Sequence, residues 1–335
     1  MSLSSSSSSQ SLSSLFTYIS SLYSYLKGAI VASTGLAVLL SALLYFKQSE
    51  LIYPRSLPPG ARTTVPTPDQ FGVQDWETVA LETPDGETLS NFLLKSSRRP
   101  RPGATVLFMH GNAGNIGHRL PIARVFSEQM GCNIFILSYR GYGFSTGRPS
   151  EKGLLIDAQT ALTYLLSNES TRNTRLFVYG QSLGGALAIQ LVARNQDKVQ
   201  GLILENTFRS IRTLIPTVFP PARYLVRLCN QIWPSEKTLP RISSVPVLFL
   251  SGQKDELVPP SHMKQLYNVC NSPVKVWKEL PNGTHNDTCA EDGYFDYIDE
   301  FIEGAMPNGK LAMARGAAAS TGLDIKRSGD GRVSE

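Results

Sequence analysis

The chain has 335 residues, 41% hydrophobic and 18% charged, with a net charge of +5 at pH 7. This is a globular composition with ample material for a core, at a length where an α/β fold is often a single domain. Its basic residues are scattered or fall in short runs (Arg98, Arg99, Arg101; Lys326, Arg327) without interleaved aromatic residues, so no nucleic-acid partner is expected. From the amino terminus, residues 1–27 are serine-rich and almost free of charge, the composition of a disordered tail. Residues 28–46 then form an uncharged apolar run bounded by Lys27 and Lys47, with Tyr45 and Phe46 at its end. As a helix that run spans about 28 Å, close to the hydrocarbon core of a bilayer. A cleaved signal peptide is the competing reading; the long preceding segment, the length of the run and the lack of an A-x-A site argue against it. The run reads as a single-pass anchor, which places the protein on an endomembrane such as the endoplasmic reticulum, or on the plasma membrane. Lys47, Arg55 and Arg62 after the span lean the remainder towards the cytosol. Sequons at Asn168, Asn282 and Asn286 lean the same way, because glycans on the last two would crowd His285.

Residues 47–74 are proline-rich and read as a linker. A domain over residues 75–304 opens with a hairpin, Trp76 to Leu81 and Thr88 to Leu94, turning at Pro84-Asp85-Gly86. Apolar runs follow at Thr105–Met109, Asn133–Leu137, Leu176–Tyr179, Val199–Leu204, Val247–Leu250 and Val274–Trp277. Helical patterns such as Arg119–Gln129, Leu154–Leu166 and Ala186–Ala193 separate them. Continuous apolar strands alternating with helices predict a mostly parallel sheet covered on both faces. A hairpin leading into such a sheet, with G-x-S-x-G after its third parallel strand, is the α/β-hydrolase plan. Residues 305–335 show no core pattern and are expected to be a disordered tail.

The stretch Phe177-Val178-Tyr179-Gly180-Gln181-Ser182-Leu183-Gly184-Gly185 passes from a strand pattern through G-x-S-x-G into a helix pattern. That context predicts a nucleophile elbow, with small residues where strand and helix nearly collide. A serine nucleophile needs a base, and the base needs an orienting carboxylate. In this fold they follow in the order Ser, Asp or Glu, His. Of the four histidines, His285 alone follows the last strand, against His110, His118 and His262. Asp255, in the loop after Val247–Leu250, is the acid of choice, with Glu205 as runner-up; Asp287 is read as a turn residue. The oxyanion hole is expected from the backbone N–H of Leu183 and that of Asn112, with Ala113 as the alternative. The cysteines Cys132, Cys229, Cys270 and Cys289 have no C-x-x-C pairing and no metal-spaced histidines, so neither a disulfide framework nor a metal site is expected. No cofactor motif, neither G-x-G-x-x-G nor a P-loop, occurs.

Several motifs together carry a family resemblance: H-G-N-A-G-N-I-G-H-R-L-P from His110, Y-R-G-Y-G from Tyr139, G-Q-S-L-G-G, E-N-T-F from Glu205, S-G-x-x-D-E-L-V-P-P from Ser251 and N-G-T-H-N-D-T from Asn282. The chain resembles, from about Leu51 to Glu303, the Bem-forty-six-like branch of the α/β-hydrolases, related to the animal α/β-hydrolase domain-containing protein thirteen. The resemblance implies a single-pass membrane hydrolase using Ser182, Asp255 and His285, with protein depalmitoylation suggested for relatives. It departs at Ser138, where many relatives carry Asp, a position outside the triad. Between residues 206 and 240 lies a lid insertion with Phe208, Ile211, Leu214, Ile215, Val218, Phe219, Tyr224 and Trp233, and with Arg209, Arg212, Arg223 and Arg227. An apolar cap suits an acyl chain, and its arginines suit an anionic head group or a membrane surface; packing of the lid onto the core is the plainer role. The expectation is a membrane-anchored serine hydrolase acting on acyl esters, thioesters or acylated proteins. A peptidase or amidase on the same triad, or a silent membrane scaffold, are the alternatives.

Overall fold

The computed structural model describes residues 6–96, 103–218 and 220–312. Arg98, Arg99, Arg101, Phe219, Lys326 and Arg327 lie outside the described residues, as does most of the expected carboxy-terminal tail. The chain divides between Gln48 and Ser49 into two units. The first is helical: α1 runs Ser6–Ile52, its last residues belonging to the second unit. Its stretch Ser14–Leu43, 30 residues, is long and apolar enough to cross a membrane. Both bounds differ from the expected span of residues 28–46, and the helix runs through residues expected to be a disordered tail. The serines are interspersed with Leu12, Leu15, Phe16, Tyr18, Ile19, Leu22 and Tyr23. Serine is only a modestly poor helix former, so a segment salted with these residues continues the helix backwards through Lys27.

The second unit is built on one eight-stranded sheet. In chain order its elements are β1 (Trp76–Glu82), β2 (Thr88–Leu94), β3 (Ala104–Met109), α2 (Leu120–Glu128), β4 (Asn133–Leu137), α3 (Glu151–Ser167), β5 (Arg175–Gln181), α4 (Leu183–Arg194) and β6 (Gly201–Glu205). There follow α5 (Ile211–Val218), α6 (Ser235–Thr238), β7 (Val247–Gly252), α7 (Pro260–Val269), β8 (Lys275–Leu280) and α8 (Tyr294–Ala305). The spatial order is β1-β2-β4-β3-β5-β6-β7-β8. Only the β1–β2 and β2–β4 pairs are antiparallel. Along β3, Val106 and Phe108 enter a core shared with α2 and α8, while Leu107 and Met109 enter a core shared with α3, α4 and α7. That alternation, with both faces buried, is why the parallel strands read as unbroken apolar runs. This is the α/β-hydrolase fold.

The proline-rich segment is not a free linker, and the compact unit begins at Ser49 rather than residue 75. Tyr53, Ala61 and Val73 are buried. Leu57 O accepts from Gly114 N at 2.7 Å, and the Asn115 amide donates to Ala61 O and Thr64 O, both at 2.9 Å. Arg55 donates to Gly147 O and Arg62 to Ser145 O, each at 3.0 Å. Prolines exempt much of the segment from sheet or helix, and its carbonyls find partners in distant loops instead. At the other end Met306 and Leu311 pack on the α2–α8 core, so the ordered chain passes Ala305.

Candidate active site

Ser182 sits between β5 and α4 with φ 52° and ψ −116°, a positive φ that a residue with a Cβ rarely adopts. The cost of that conformation is borne by the tightness of the turn. A Cβ on Gly180 would lie 2.3 Å from Gly184 O, and one on Gly184 would lie 2.1 Å from Met109 O. Only glycine lets β5, α4 and the end of β3 meet, and that meeting thrusts the serine out of the sheet. Ser182 Oγ stands 3.0 Å from His285 Nε2, and His285 Nδ1 stands 2.8 Å from Asp255 Oδ2. With the carboxylate accepting from Nδ1–H, Nε2 presents its lone pair to the serine hydroxyl. Asp255 Oδ1 accepts from Leu257 N at 2.9 Å and Val258 N at 2.7 Å, so its loop folds around its own carboxylate. The exposed Glu256 accepts from the backbone N–H of His285 at 3.2 Å, a contact that sequence reasoning did not anticipate.

The other three histidines are engaged elsewhere. His110 is fully buried, stacked on Tyr139 with ring centroids 4.3 Å apart, and burial pushes its imidazole down to about 3. His118 Nδ1 accepts from Asn115 N, and His262 Nδ1 accepts from Arg209 N. Glu205, the runner-up acid, is not the carboxylate on His285 Nδ1: its own hydrogen bonds come from Tyr179, Tyr294 and Gln181, and burial pushes its carboxyl up. Asp287 hydrogen-bonds Thr284 in a turn, as expected.

Asn112 and Leu183 line the same cavity as Ser182 and His285. Leu183 is the first residue of α4, where backbone N–H groups lack intrahelical partners. The Asn112 loop is fixed from three sides: Tyr142 donates to Asn112 O at 2.7 Å, Tyr139 to His110 O at 2.7 Å, and the Asn112 amide to Ile52 O at 3.2 Å. The two tyrosines come from the Y-R-G-Y-G motif, which therefore shapes the loop opposite the elbow. The cavity measures about 280 Å³, and its walls are Ile52, Phe208, Ile211, Leu214, Ile215, Val218, Leu257 and Val258. A larger groove, about 1230 Å³, lies between the β1–β2 turn, α3 and α4, away from Ser182. Of the lid arginines, Arg209 pairs with Glu236 and Arg212 donates to Cys229 O, so both hold the lid itself together. Trp233 is buried and donates to Tyr53 at 3.0 Å, in the core rather than over the serine.

Comparison with known proteins agrees with the α/β-hydrolase fold. A family model described as serine aminopeptidase, S33, matches residues 100–244. Protein bem46 of Schizosaccharomyces pombe is 49% identical over 84% of this chain and 95% of its own length. The chain belongs to the bem46 family of α/β-hydrolases. Another relative is the membrane protein YNL320W of Saccharomyces cerevisiae, 45% identical over 82% of this chain and 94% of its own. A third is the α/β-hydrolase domain-containing protein WAV2 of Arabidopsis thaliana, 38% identical over 88% and 97%. An α/β-hydrolase from Vibrio vulnificus superposes with a TM-score of 0.62 at 22% identity, over 75% of this chain and 91% of its own. An esterase of Pyrococcus furiosus gives 0.60 at 17%, over 72% and 94%; at such identities these two speak for the fold. In this bem46-family chain, sequence reasoning missed Ile52 as a cavity wall. An isoleucine at the end of a long apolar helix carries no signal that its side chain serves a site.

Proposed function

We propose that this chain is a membrane-anchored serine hydrolase that cleaves acyl esters or thioesters through Ser182, His285 and Asp255. The observation that carries the reading is the continuous relay Oγ–Nε2 at 3.0 Å and Nδ1–Oδ2 at 2.8 Å, with Ser182 and His285 lining an apolar-walled cavity. Ser182 Oγ attacks the acyl carbonyl carbon while His285 Nε2 takes its proton, and Asp255 steadies the imidazolium. The N–H groups of Leu183 and Asn112 hold the developing oxyanion. Collapse breaks the bond to the alcohol or thiol, which leaves with the proton from His285, and an acyl-enzyme remains on Ser182. Water, deprotonated by His285, then releases the carboxylic acid. The thioester of a fatty-acylated cysteine belongs to the substrate class that the apolar walls favour. Ser14–Leu43 supplies the anchor in this reading, which the description of a relative as a membrane protein supports.

A second reading, an aminopeptidase, takes its support from the description of the matching family model. Among the described residues lining the cavity there is no acidic side chain to receive a peptide's terminal ammonium, which favours the ester reading. The deciding experiment treats the full-length protein in detergent with a fluorophosphonate probe and with p-nitrophenyl acetate, p-nitrophenyl octanoate and alanine p-nitroanilide. Labelling lost in Ser182→Ala is expected, with both Ser182→Ala and His285→Ala reducing kcat by roughly 10⁴ or more. Three extra methylenes entering the cavity, at about 0.8 kcal/mol each, favour the octanoyl ester by roughly fiftyfold in kcat/KM. A flat profile from acetyl to octanoyl removes the acyl-chain assignment, and turnover of the anilide ahead of both esters moves the function to the peptidase reading.

A further inference from the structure

The E-N-T-F motif at the end of β6 contributes none of the groups assigned to the chemistry above, yet it touches the backbone of the segments that carry Ser182, Asp255 and His285. Glu205 O accepts from Ser182 N at 2.9 Å, and Thr207 Oγ1 donates to Ser182 O at 2.7 Å, so the elbow is gripped on both sides of the nucleophile. Between them Asn206 is 1% exposed and takes φ 44°. That left-handed conformation is one asparagine tolerates better than most residues, and it turns the side chain across the strand ends. Its Oδ1 accepts from Gly252 N at 2.8 Å, at the end of β7 from which the Asp255 loop departs. Its Nδ2 donates to Thr284 O at 3.1 Å and Thr288 Oγ1 at 2.8 Å, with His285 O at 3.4 Å. One buried amide thus spans the acid loop and the base loop from the strand beside the nucleophile.

We propose that Asn206 is the positioning residue that sets His285 at hydrogen-bonding distance from both Ser182 and Asp255. His285 follows β8 on a loop, and a loop left to itself holds a side chain less precisely than a strand or helix does. An asparagine fits because both of its functions are used at once, an acceptor towards an N–H on one loop and donors towards carbonyl and hydroxyl oxygens on the other. Asn206 is not part of the cavity wall, so its work falls on the chemistry rather than on acyl binding. The packing around it leaves little slack: a Cβ on Gly252 would lie 2.4 Å from Thr288 Oγ1 and 2.6 Å from Gly283 O.

This assignment rests on the serine-hydrolase reading and is tested in the full-length protein with the octanoyl ester. Asn206→Gly keeps the positive φ and removes every side-chain bond. Asn206→Asp keeps the shape and the acceptor for Gly252 but turns a carboxylate oxygen towards the Thr284 and His285 carbonyls. Since misplacement of a catalytic group by about 1 Å costs on the order of 100-fold, each variant is expected to lose roughly 10- to 100-fold in kcat with KM within twofold. In a His285→Ala background the same changes should leave the residual rate of fluorophosphonate labelling unaltered, since the group being positioned is gone. A role confined to the fold would lower folded fraction and residual rate alike in that background, and that result overturns the proposal. So does Asn206→Asp at wild-type kcat, because the bond to Gly252 alone would then suffice. If both variants fail to fold, Thr288→Ala removes the acceptor for Asn206 beside His285 together with the hydroxyl's own bond to Thr284 O at 2.6 Å; it should show the same kcat loss at unchanged KM, and an unchanged kcat would count against Asn206. A His285→Ala protein with wild-type kcat fells the triad reading and this one with it, whereas an inactive His285→Ala beside fully active Asn206 variants fells this one alone.

Discussion

His110 lies two residues before Asn112, wholly buried, with Nδ1 donating to Gly111 O at 2.7 Å and Nε2 without a hydrogen-bond partner. Desolvation disfavours the imidazolium there, and the positive charge of Arg119 adds to the effect, bringing the group down to about 3. The consequence for stability has a definite sign. Above the unfolded-state value of about 6.5 neither state binds the proton, and the folded state pays nothing. As pH falls from there towards 3, the unfolded chain takes up a proton that the folded chain refuses, so stability is lost at up to about 1.4 kcal/mol per pH unit. His110→Phe keeps a flat ring against Tyr139 and abolishes the titration. Urea unfolding of the full-length protein at steps between pH 6 and 4 should therefore show a slope shallower than wild type by about one proton. An identical slope in the two proteins would mean that His110 is charged in the folded state. The variant also forfeits the bond to Gly111 O, so its stability at pH 7.5 should fall by about 1 kcal/mol.

At the scale of elements, the elbow is a collision avoided three times, at Gly180, Gly184 and Gly185, where a Cβ would meet Gly184 O, Met109 O and the Thr207 side chain at 2.3, 2.1 and 2.6 Å. The obstacle at Gly184 is backbone of β3, which cannot rotate aside. Gly184→Ala is thus expected to cost about 3 kcal/mol or more, the upper range of overpacking. Gly35→Ala in α1, where nothing stands within 4 Å, should be neutral in the same thermal-unfolding assay. Equal effects would show that β3 and α4 are not in contact as described. Those glycines were legible in the sequence because G-x-S-x-G between a strand and a helix pattern has a steric reason. The strands were legible for a related one: burial on both faces makes each of them apolar throughout, and β3 to β7 stand where their apolar runs do. Asp255 and His285 could be picked out because loops after late strands of such a sheet are where side chains reach the serine. What stayed hidden rests on backbone partners or on neighbours remote in the chain. The carbonyls of Leu57, Ala61 and Thr64 accept from the Gly114 and Asn115 groups of the Asn112 loop, and no residue type announces that a carbonyl will be used. Trp233 reads as lid, but its indole N–H finds the Tyr53 hydroxyl in the core. Asn206 reads only as part of the E-N-T-F motif and the start of the lid until the two loops its side chain joins are seen together.

For the whole molecule the division at Gln48–Ser49 decides where the chain can be cut. The proposed anchor lies wholly in the first unit, whereas Ile52 supplies both a wall of the Ser182 cavity and the carbonyl that receives the Asn112 amide. Tyr53 next to it donates to Gln231 at 2.9 Å and accepts from Trp233 at 3.0 Å, tying the segment to the end of the lid. Removal of residues 1–48 leaves all of these bonds in place. Removal of residues 1–74, the cut that a free linker would have permitted, strips them away together with Arg55 and Arg62. The shorter deletion is expected to pass from the membrane pellet into an alkaline-carbonate supernatant and to keep kcat/KM for p-nitrophenyl octanoate within about threefold of the full-length enzyme. Exposed apolar residues at the cavity mouth, Val218 at 58% and Leu257 at 43%, remain on it. Retention of this protein on protein-free liposomes after the cut would mark that mouth as a second membrane contact. The longer deletion should lose at least tenfold in kcat/KM even where circular dichroism shows the sheet intact, because the Asn112 loop has lost the Leu57, Ala61 and Thr64 carbonyls that hold it opposite Ser182. Equal activity of the two deletions would mean that the segment from Tyr53 to Gln74 only covers the surface, and that Tyr142 and Tyr139 suffice to hold the Asn112 loop.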